Sequence, residues 1–473
     1  MTGKTLEIEE TDEAGNVIAT YFESHPTNSS ASRIDVAYPP HQNNIPQKVL
    51  SVFLPAGYPN SVTHDYLEYQ IYVGGNARAW LFHFADQRQD SLQAFSSSIA
   101  GLLSNRAVLQ GVGVGDADAS PTAALLLTVL QESMGRLATI WFAHSLGTSL
   151  EPECKMYRLA ADVFNDGAMI LDCLSPALPK APRVVLLSCS SILRALCGVA
   201  AGSAKASLSA HFAKWGNLGE LNAKDSSQET IISLMGMLAG SLVVSQVSST
   251  WATWFWLISL LSIHLAMNYA AVRAVSMHTL NRQRANIVFS SLIEDDKVLA
   301  PGDTSIKEKI FEKDGVLRWK GSTVLRYCQI GVPLGSLLSS LGQVQHGTRS
   351  IREMNIDLSV LRSIYHSEQY LLWYNARQEH AYIVLKQGVT ANSQLKGWVN
   401  ALMVARRISR QRHQHGAEPH KTDNQEMLQI LKEELSFLSE DFDGWIKRLH
   451  AVGWDTDIAA LETLHGSRIL EKD

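Results

Sequence analysis

The sequence predicts a mainly α fold: a polytopic α-helical membrane bundle with an internal repeat, plus a small C-terminal α+β domain. Three observations carry that prediction. From about residue 93 to 345 the chain runs in long apolar segments with very few charges. Within this region a stretch recurs at an offset of 87 residues, and beyond residue 346 two strand-like runs precede two amphipathic helices.

Residues 1–50 read as a polar N-terminal arm. One hairpin, "TLEIEE" and "NVIATYF" around "TDEAG", leads into a linker rich in Pro, Asn and Ser. The arm is acidic and has no apolar core after a basic start, unlike a secretory signal or a typical mitochondrial presequence. Membrane insertion is therefore expected from within the chain. The expected location is an intracellular organelle membrane, with the compartment left open.

Residues 51–345 form the expected membrane domain. "TIISLMGMLAGSLVVSQVSS" (230–249) and "TWATWFWLISLLSIHLAMNYAAV" (250–272) each match the ~20 residues that cross a bilayer. Neither contains an acidic or basic residue apart from His264. Trp251, Trp254 and Trp256 gather at one end of the second and Tyr269 lies near the other, as at membrane interfaces. Further candidates are 121–146, 182–202 and 323–344. Glu132, Arg136, Arg194 and Arg326 interrupt them, and charges are costly in hydrocarbon, so buried helices of a soluble bundle are the alternative. Glu132 and Arg136, four residues apart on a helix, offset each other. Between 273 and 322 the polar run "EDDKVLAPGDTSIKEKIFEKDGVLRWKG" reads as an exposed excursion.

Residues 346–473 read as a soluble α+β domain. "QYLLWY" and "EHAYIVLK" are two strands joined by a turn, followed by a helix at 391–411. A second helix carries Met427, Leu428, Leu431, Leu435, Leu438 and Phe442 at helical spacing.

Charge and cysteine content exclude some classes. The 473-residue chain has a formal charge of -5 with its basic residues dispersed, which argues against a nucleic-acid partner. Cys154, Cys173, Cys189, Cys197 and Cys328 form no C-x-x-C pair and fit neither a disulfide framework nor a zinc site.

Two motif-like stretches fail on their chemistry. "VLQGVGVGDADAS" (108–120) has glycines at 111, 113 and 115, but Asp116 stands where a dinucleotide turn needs its third glycine, and no Lys-Ser/Thr follows as in a Walker loop. "AHSLGTS" imitates a hydrolase elbow at Ser145, yet its first glycine is missing and the preceding apolar run is of helical length. The repeat lays "SNRAVLQGVGVGDADAS" (104–120) on "SILRALCGVAAGSAKAS" (191–207), and "MGRLA" (134–138) pairs with "MGMLA" (235–239) after an insertion. Gly111 and Gly115 recur as Gly198 and Gly202, while Ala200 replaces Gly113. The repeated feature is G-x-x-x-G, so these four glycines are expected to pack helices closely and Gly113 to tolerate change.

Polar residues inside apolar context define a candidate site. Asp162, Asn165 and Asp166 fall at i, i+3 and i+4 on one helix face; such oxygens suit a polar substrate or cation, and helix capping is the competing role. In "NAKDSSQET", Ser226 and Glu229 are expected to form a capping box, leaving Lys224, Asp225 and Gln228 to line a site with Glu229 at its edge.

At these residues the chain resembles the root UVB sensitive (RUS) family. The likeness rests on "FLPAGYPNSVTHDYLEYQIYV" (53–73), "AVLQGVGVGDADASP" (107–121), "RLAADVFNDGAMILDCLSP" (158–176), "LRALCGVAAGSAKASLSAHFA" (193–213) and "NAKDSSQETIISLMGMLAG" (222–240). "HAVGWDTD" (450–457) is similar to the family's C-terminal domain, and "GGNARAWLFHFADQRQ" (74–89) departs from the pattern in its polarity. The resemblance implies a helical, membrane-associated protein linked to vitamin B6 homeostasis that acts with another family member or itself. It implies no catalytic residue, cofactor or metal. Two functions are expected: a carrier or binding protein for a small polar metabolite, or a noncatalytic membrane scaffold.

Overall fold

The computed structural model describes residues 6–11, 17–24, 33–37, 55, 58, 61–66, 69–70, 92–111, 113, 120–214, 216–344, 351–352, 356, 358–415, 424–464 and 466–470. Gly115 and the polar departure at 74–89 lie outside them. The chain divides into two compact units, residues 1–139 with 158–275, and residues 140–157 with 276–473. The second unit thus begins some seventy residues before the expected boundary at 345.

The first unit opens with an antiparallel sheet of β1 (Leu6–Thr11), β2 (Val17–Ser24) and β3 (Arg33–Ala37), in that order. β1 and β2 are the expected hairpin, and β3 falls in the segment read as linker. Six helices follow: α1 (Leu92–Gly111), α2 (Pro121–Leu146), α3 (Cys154–Leu174), α4 (Lys180–Phe212), α5 (Leu218–Gln246) and α6 (Thr250–Ala274). α4, α5 and α6 are long and apolar enough to cross a membrane.

α1 is the hub of this unit. Its Ile99, Ala100, Leu103 and Ala107 are buried against Met169 and Cys173 of α3 and Leu257, Leu260 and Leu261 of α6. α5 approaches through a different G-x-x-x-G from the repeated one. A Cβ on Gly236 would stand 2.6 Å from the Ser98 Cβ, and one on Gly240 would stand 3.2 Å from the Ile99 Cα.

Two arginines tie the helix ends. Arg106 donates to the Val244 and Val247 carbonyls at 3.0 and 2.6 Å, where α5 ends. Arg183 donates to the carbonyls of Gly111, Ser175 and Leu178. C-terminal carbonyls lack helical partners and carry the negative end of the helix dipole, so a guanidinium suits them.

The glycine expectations need correction. Gly111 is close-packed, its added Cβ meeting the Ser175 Oγ at 3.2 Å, but a Cβ on Gly198 or Gly202 meets no described atom within 4 Å. Gly113 has φ +85°, a conformation that penalises a side chain, so it is not the tolerant member. The two copies also differ locally: α1 ends at Gly111, whereas its counterpart Gly198 lies inside α4.

The second unit continues with α7 (Arg282–Asp295), α8 (Pro301–Lys307), β4 (Val316–Trp319), β5 (Thr323–Ile330), α9 (Leu334–Leu341), β6 (Gln343–Val344), β7 (Ile351–Arg352), α10 (Leu358–Ile364), β8 (Tyr370–Asn375), β9 (His380–Lys386), α11 (Ala391–His415), α12 (Asn424–Ala451) and β10 (Arg468–Ile469). β9 is central: β8 pairs with it antiparallel as the expected hairpin, while β5 and β10 run parallel to it and β4 extends the sheet antiparallel to β5. The stretch 323–344, expected as a membrane span, is therefore a strand and a short helix. Its apolarity serves burial of Leu325, Cys328, Ile330, Leu337 and Leu341.

The segment 273–322 is core before residue 293, while the run 294–321 read as exposed mixes exposed residues with buried ones such as Leu299, Glu308 and Leu317. Residues 282–292 of α7 are buried throughout, and their polar groups are paired. Asn286 donates to the Val316 carbonyl at 2.7 Å and accepts from the Trp398 Nε1 at 2.9 Å, while Arg284 pairs with Glu308 at 2.7 Å.

Candidate functional site

The α3 face of Asp162, Asn165 and Asp166, with Asp172 further along, does not form one site. Asp162 pairs with Arg158 of its own helix at 2.9 Å. Asp166 lies 2.8 Å from the His264 Nδ1 of α6. The Asn268 side-chain amide lies 3.2 Å from the His264 Nε2 on the other side of the ring. Asp172, one turn and a half further, pairs with Arg194 and accepts from the Ser104 Oγ at 2.9 Å. Asn165 is half-buried between these groups.

The Asp162 end reaches a cavity through Arg158. This cavity, of about 220 Å³, is lined by residues of α3, α4 and α5 and by Tyr66, Tyr69 and Gln70. Lys205 of α4 stands between two carboxylates of α5, 2.6 Å from Asp225 and 2.9 Å from Glu229. Gln70 donates to the other oxygen of Asp225 at 2.8 Å. Arg158 holds Asp162 with Nη1 and points Nε at the Tyr69 hydroxyl, 3.4 Å away. Burial raises the Tyr69 hydroxyl above its ordinary pKa, and burial followed by the Asp225 carboxylate does the same to Tyr66, so both remain protonated. Tyr66 and Tyr69 pack on Phe212 with ring centroids 5.5 and 5.1 Å apart, giving the cavity an aromatic wall.

The backbone explains this convergence. Residues 61–66 dock on the end of α4, where Thr63 N donates to the Phe212 carbonyl at 3.0 Å and Lys214 N to the Ser61 carbonyl at 3.1 Å. Asp65 meets the His211 Nε2 at 2.9 Å. α5 starts at Leu218, so Ser226 and Glu229 lie inside the helix and the expected capping box does not form; Glu229 is free to meet Lys205. The cavity sits below Thr230, where the apolar run of α5 begins, hence at the polar end of that helix.

Of the residues expected at the site, Asp225 and Glu229 line the cavity and Asp162 backs its arginine. Gln228 is buried one turn along, and Lys224 is half-buried and not among the lining residues. Sequence reasoning missed Arg158, Lys205, Tyr66, Tyr69 and Gln70. Lys205 had one signal: in the repeat it stands opposite Asp118, a charge reversal amid matched small residues. Ser145 lies in the last turn of α2, not at a strand end.

The profile of a vitamin B6 photo-protection and homoeostasis domain matches residues 39–296, and that of a root UVB sensitive protein C-terminal domain matches residues 319–463. RUS family member 1 of Dictyostelium discoideum is 34% identical over 308 residues, covering 64% of this chain and 55% of that protein. The chain thus spans little more than half the length of that relative. Protein root UVB sensitive 3 of Arabidopsis thaliana is 29% identical over 420 residues, 88% of this chain and 84% of its own. Protein root UVB sensitive 2, chloroplastic, of the same plant is 23% identical over 418 residues, covering 87% and 84%. No solved structure matches.

Proposed function

Because this chain belongs to the root UVB sensitive family and carries its vitamin B6 photo-protection and homoeostasis domain, we propose that it is an integral membrane protein that binds or carries a small polar metabolite linked to vitamin B6 homeostasis. The observation that carries this reading is the charged, aromatic-walled cavity between α4 and α5, two helices long enough to cross a bilayer. Exposed apolar side chains support the membrane setting. Leu238, Leu242 and Trp251 are 63, 70 and 89% exposed, surface that water disfavours and lipid accepts. An organelle membrane is the proposed location, in keeping with the word chloroplastic in one relative's name.

The test is carbonate extraction with protease protection of the full chain, followed by uptake of labelled pyridoxine into reconstituted vesicles. Resistance to extraction and uptake reduced at least tenfold by Asp225→Ala are expected. Release by carbonate would remove the membrane reading, and Asp225-independent uptake would remove the site.

One observation favours a second reading, a scaffold that pairs with a family member or a second copy. Gly198 faces open space on α4, as an unfilled helix-docking face would. Gly198→Leu should then abolish co-purification of differently tagged copies or of a family partner.

A further inference from the structure

The charges around the cavity do not cancel. Asp162 engages both its oxygens with the Arg158 Nη1, at 2.9 and 3.1 Å, so that pair is neutral. Lys205 faces two carboxylates, Asp225 and Glu229, which leaves one negative charge in excess among these five groups. Asp225 is 8% exposed and Glu229 is about half-exposed, so water screens only part of that excess. Gln70 adds an acceptor: its amide nitrogen is spent on Asp225, and its buried carbonyl oxygen has no hydrogen-bond partner. Carboxylates, an amide carbonyl and the ring faces of Tyr66, Tyr69 and Phe212 all favour positive charge. The Lys205 ammonium is 32% exposed and holds the place such a charge would take.

We propose that this cavity selects a small organic cation, a protonated nitrogen on a compact aromatic or apolar body, and rejects phosphate esters and carboxylates of the same size. The inference rests on reading the cavity as a ligand site and deepens that reading by fixing the charge of the ligand. Binding places the ligand's N–H donors on Glu229 and the Gln70 carbonyl, with Lys205 turning toward solvent. A phosphate dianion in the same volume meets the excess carboxylate and gains only a lysine already shared by two acids and an arginine already held by Asp162. An unphosphorylated amine is thus distinguished from its phosphorylated form by electrostatics alone.

The test is calorimetric titration of the full chain in lipid nanodiscs with four probes: pyridoxamine, pyridoxamine 5′-phosphate, tyramine and 4-hydroxyphenylacetate. Both unphosphorylated amines should bind, with the phosphate and the carboxylate at least tenfold weaker. Glu229→Gln removes the excess charge at a half-exposed position and should weaken amine binding at least tenfold with the melting temperature unchanged; Glu132→Gln, on α2 and outside the cavity, should change nothing. Tighter binding of either anion, or amine binding indifferent to Glu229→Gln, overturns the charge rule. Tyramine binding without pyridoxamine binding upholds the charge rule and overturns the vitamer reading. Failure of all four probes to bind overturns both.

Discussion

Arg183 of α4 donates from Nη1 to the carbonyl of Gly111, the last residue of α1, and from its other nitrogens to the Ser175 and Leu178 carbonyls. One guanidinium thus caps the last carbonyl of α1 and two carbonyls of the turn at 175–178. Arg183→Ala should cost about 2–3 kcal/mol, the worth of hydrogen bonds to a charged group. Arg183→Lys should recover only part, because an ammonium cannot span the fork. Thermal melting of the purified chain in detergent reads both, and an unshifted midpoint for Arg183→Ala would refute the role.

The glycines of α5 and α4 should respond oppositely. Gly236→Ala drives a methyl against the Ser98 Cβ and the Phe95 Cα, an overpacking that costs about 1–3 kcal/mol. Gly198→Ala adds a methyl in open space inside a helix and should stabilise by about 0.5–1 kcal/mol. Melting midpoints moving the same way in both variants would contradict the packing described.

His264→Ala should act on stability and spare the ligand. It removes the imidazole 2.8 Å from the buried Asp166 carboxylate, a loss of about 1.5–3 kcal/mol for a contact to a charged group. Pyridoxamine affinity at the Lys205 cavity should stay within twofold. A tenfold loss of affinity would mean that the α3 acids work as one site after all.

Glu153, in the second unit, gives a pH signature. Burial pushes its carboxyl up to about 7, against the pull of Arg282 and Arg284. The folded state therefore binds its proton more tightly than the unfolded state, and the stability tied to this group is full below about pH 4.5 and lost as pH rises through 7. At 1.36 kcal/mol per pKa unit the loss is on the order of 3 kcal/mol. Glu308 acts in the opposite sense, since Arg284 and Lys155 hold its carboxyl below the ordinary value and its contribution fades in acid. Denaturant titrations at pH 5.5 and 8 should show the second unit of Glu153→Gln gaining stability relative to the parent at pH 8. Equal differences at both pH values would refute the shift.

Periodicity made some elements legible. The β8–β9 hairpin and α12 were readable because Met427, Leu431, Leu435, Leu438 and Phe442 repeat with the helix turn and are buried. α5 and α6 were readable from length and apolarity. What failed was the distinction between apolar because of lipid and apolar because of a core. Residues 323–344 bury Leu325 and Cys328 in a sheet whose partner strand β9 starts some fifty residues later, a pairing no local window contains. α7 failed in the reverse sense, because paired charges such as Arg284 with Glu308 look like surface until the partner is known. Of the site, the α5 acids were visible as polar residues beside an apolar run. Arg158 and Lys205 were hidden because their meaning lies in carboxylates four and more than twenty residues away.

Lys155 and Glu308 meet at 2.7 Å across 153 positions of chain. Lys155 belongs to the short segment 140–157 that the second unit draws from the middle of the first. On a ribosome that segment emerges early and must wait, unmatched, while residues 158–275 are made, before its acid arrives. The Lys155–Glu308 contact can therefore form only after residues 158–275 have been made. A fragment beginning at residue 276 would bury Glu308 without Lys155 and should fold poorly, whereas the same fragment supplied with residues 140–157 as a separate peptide should be rescued.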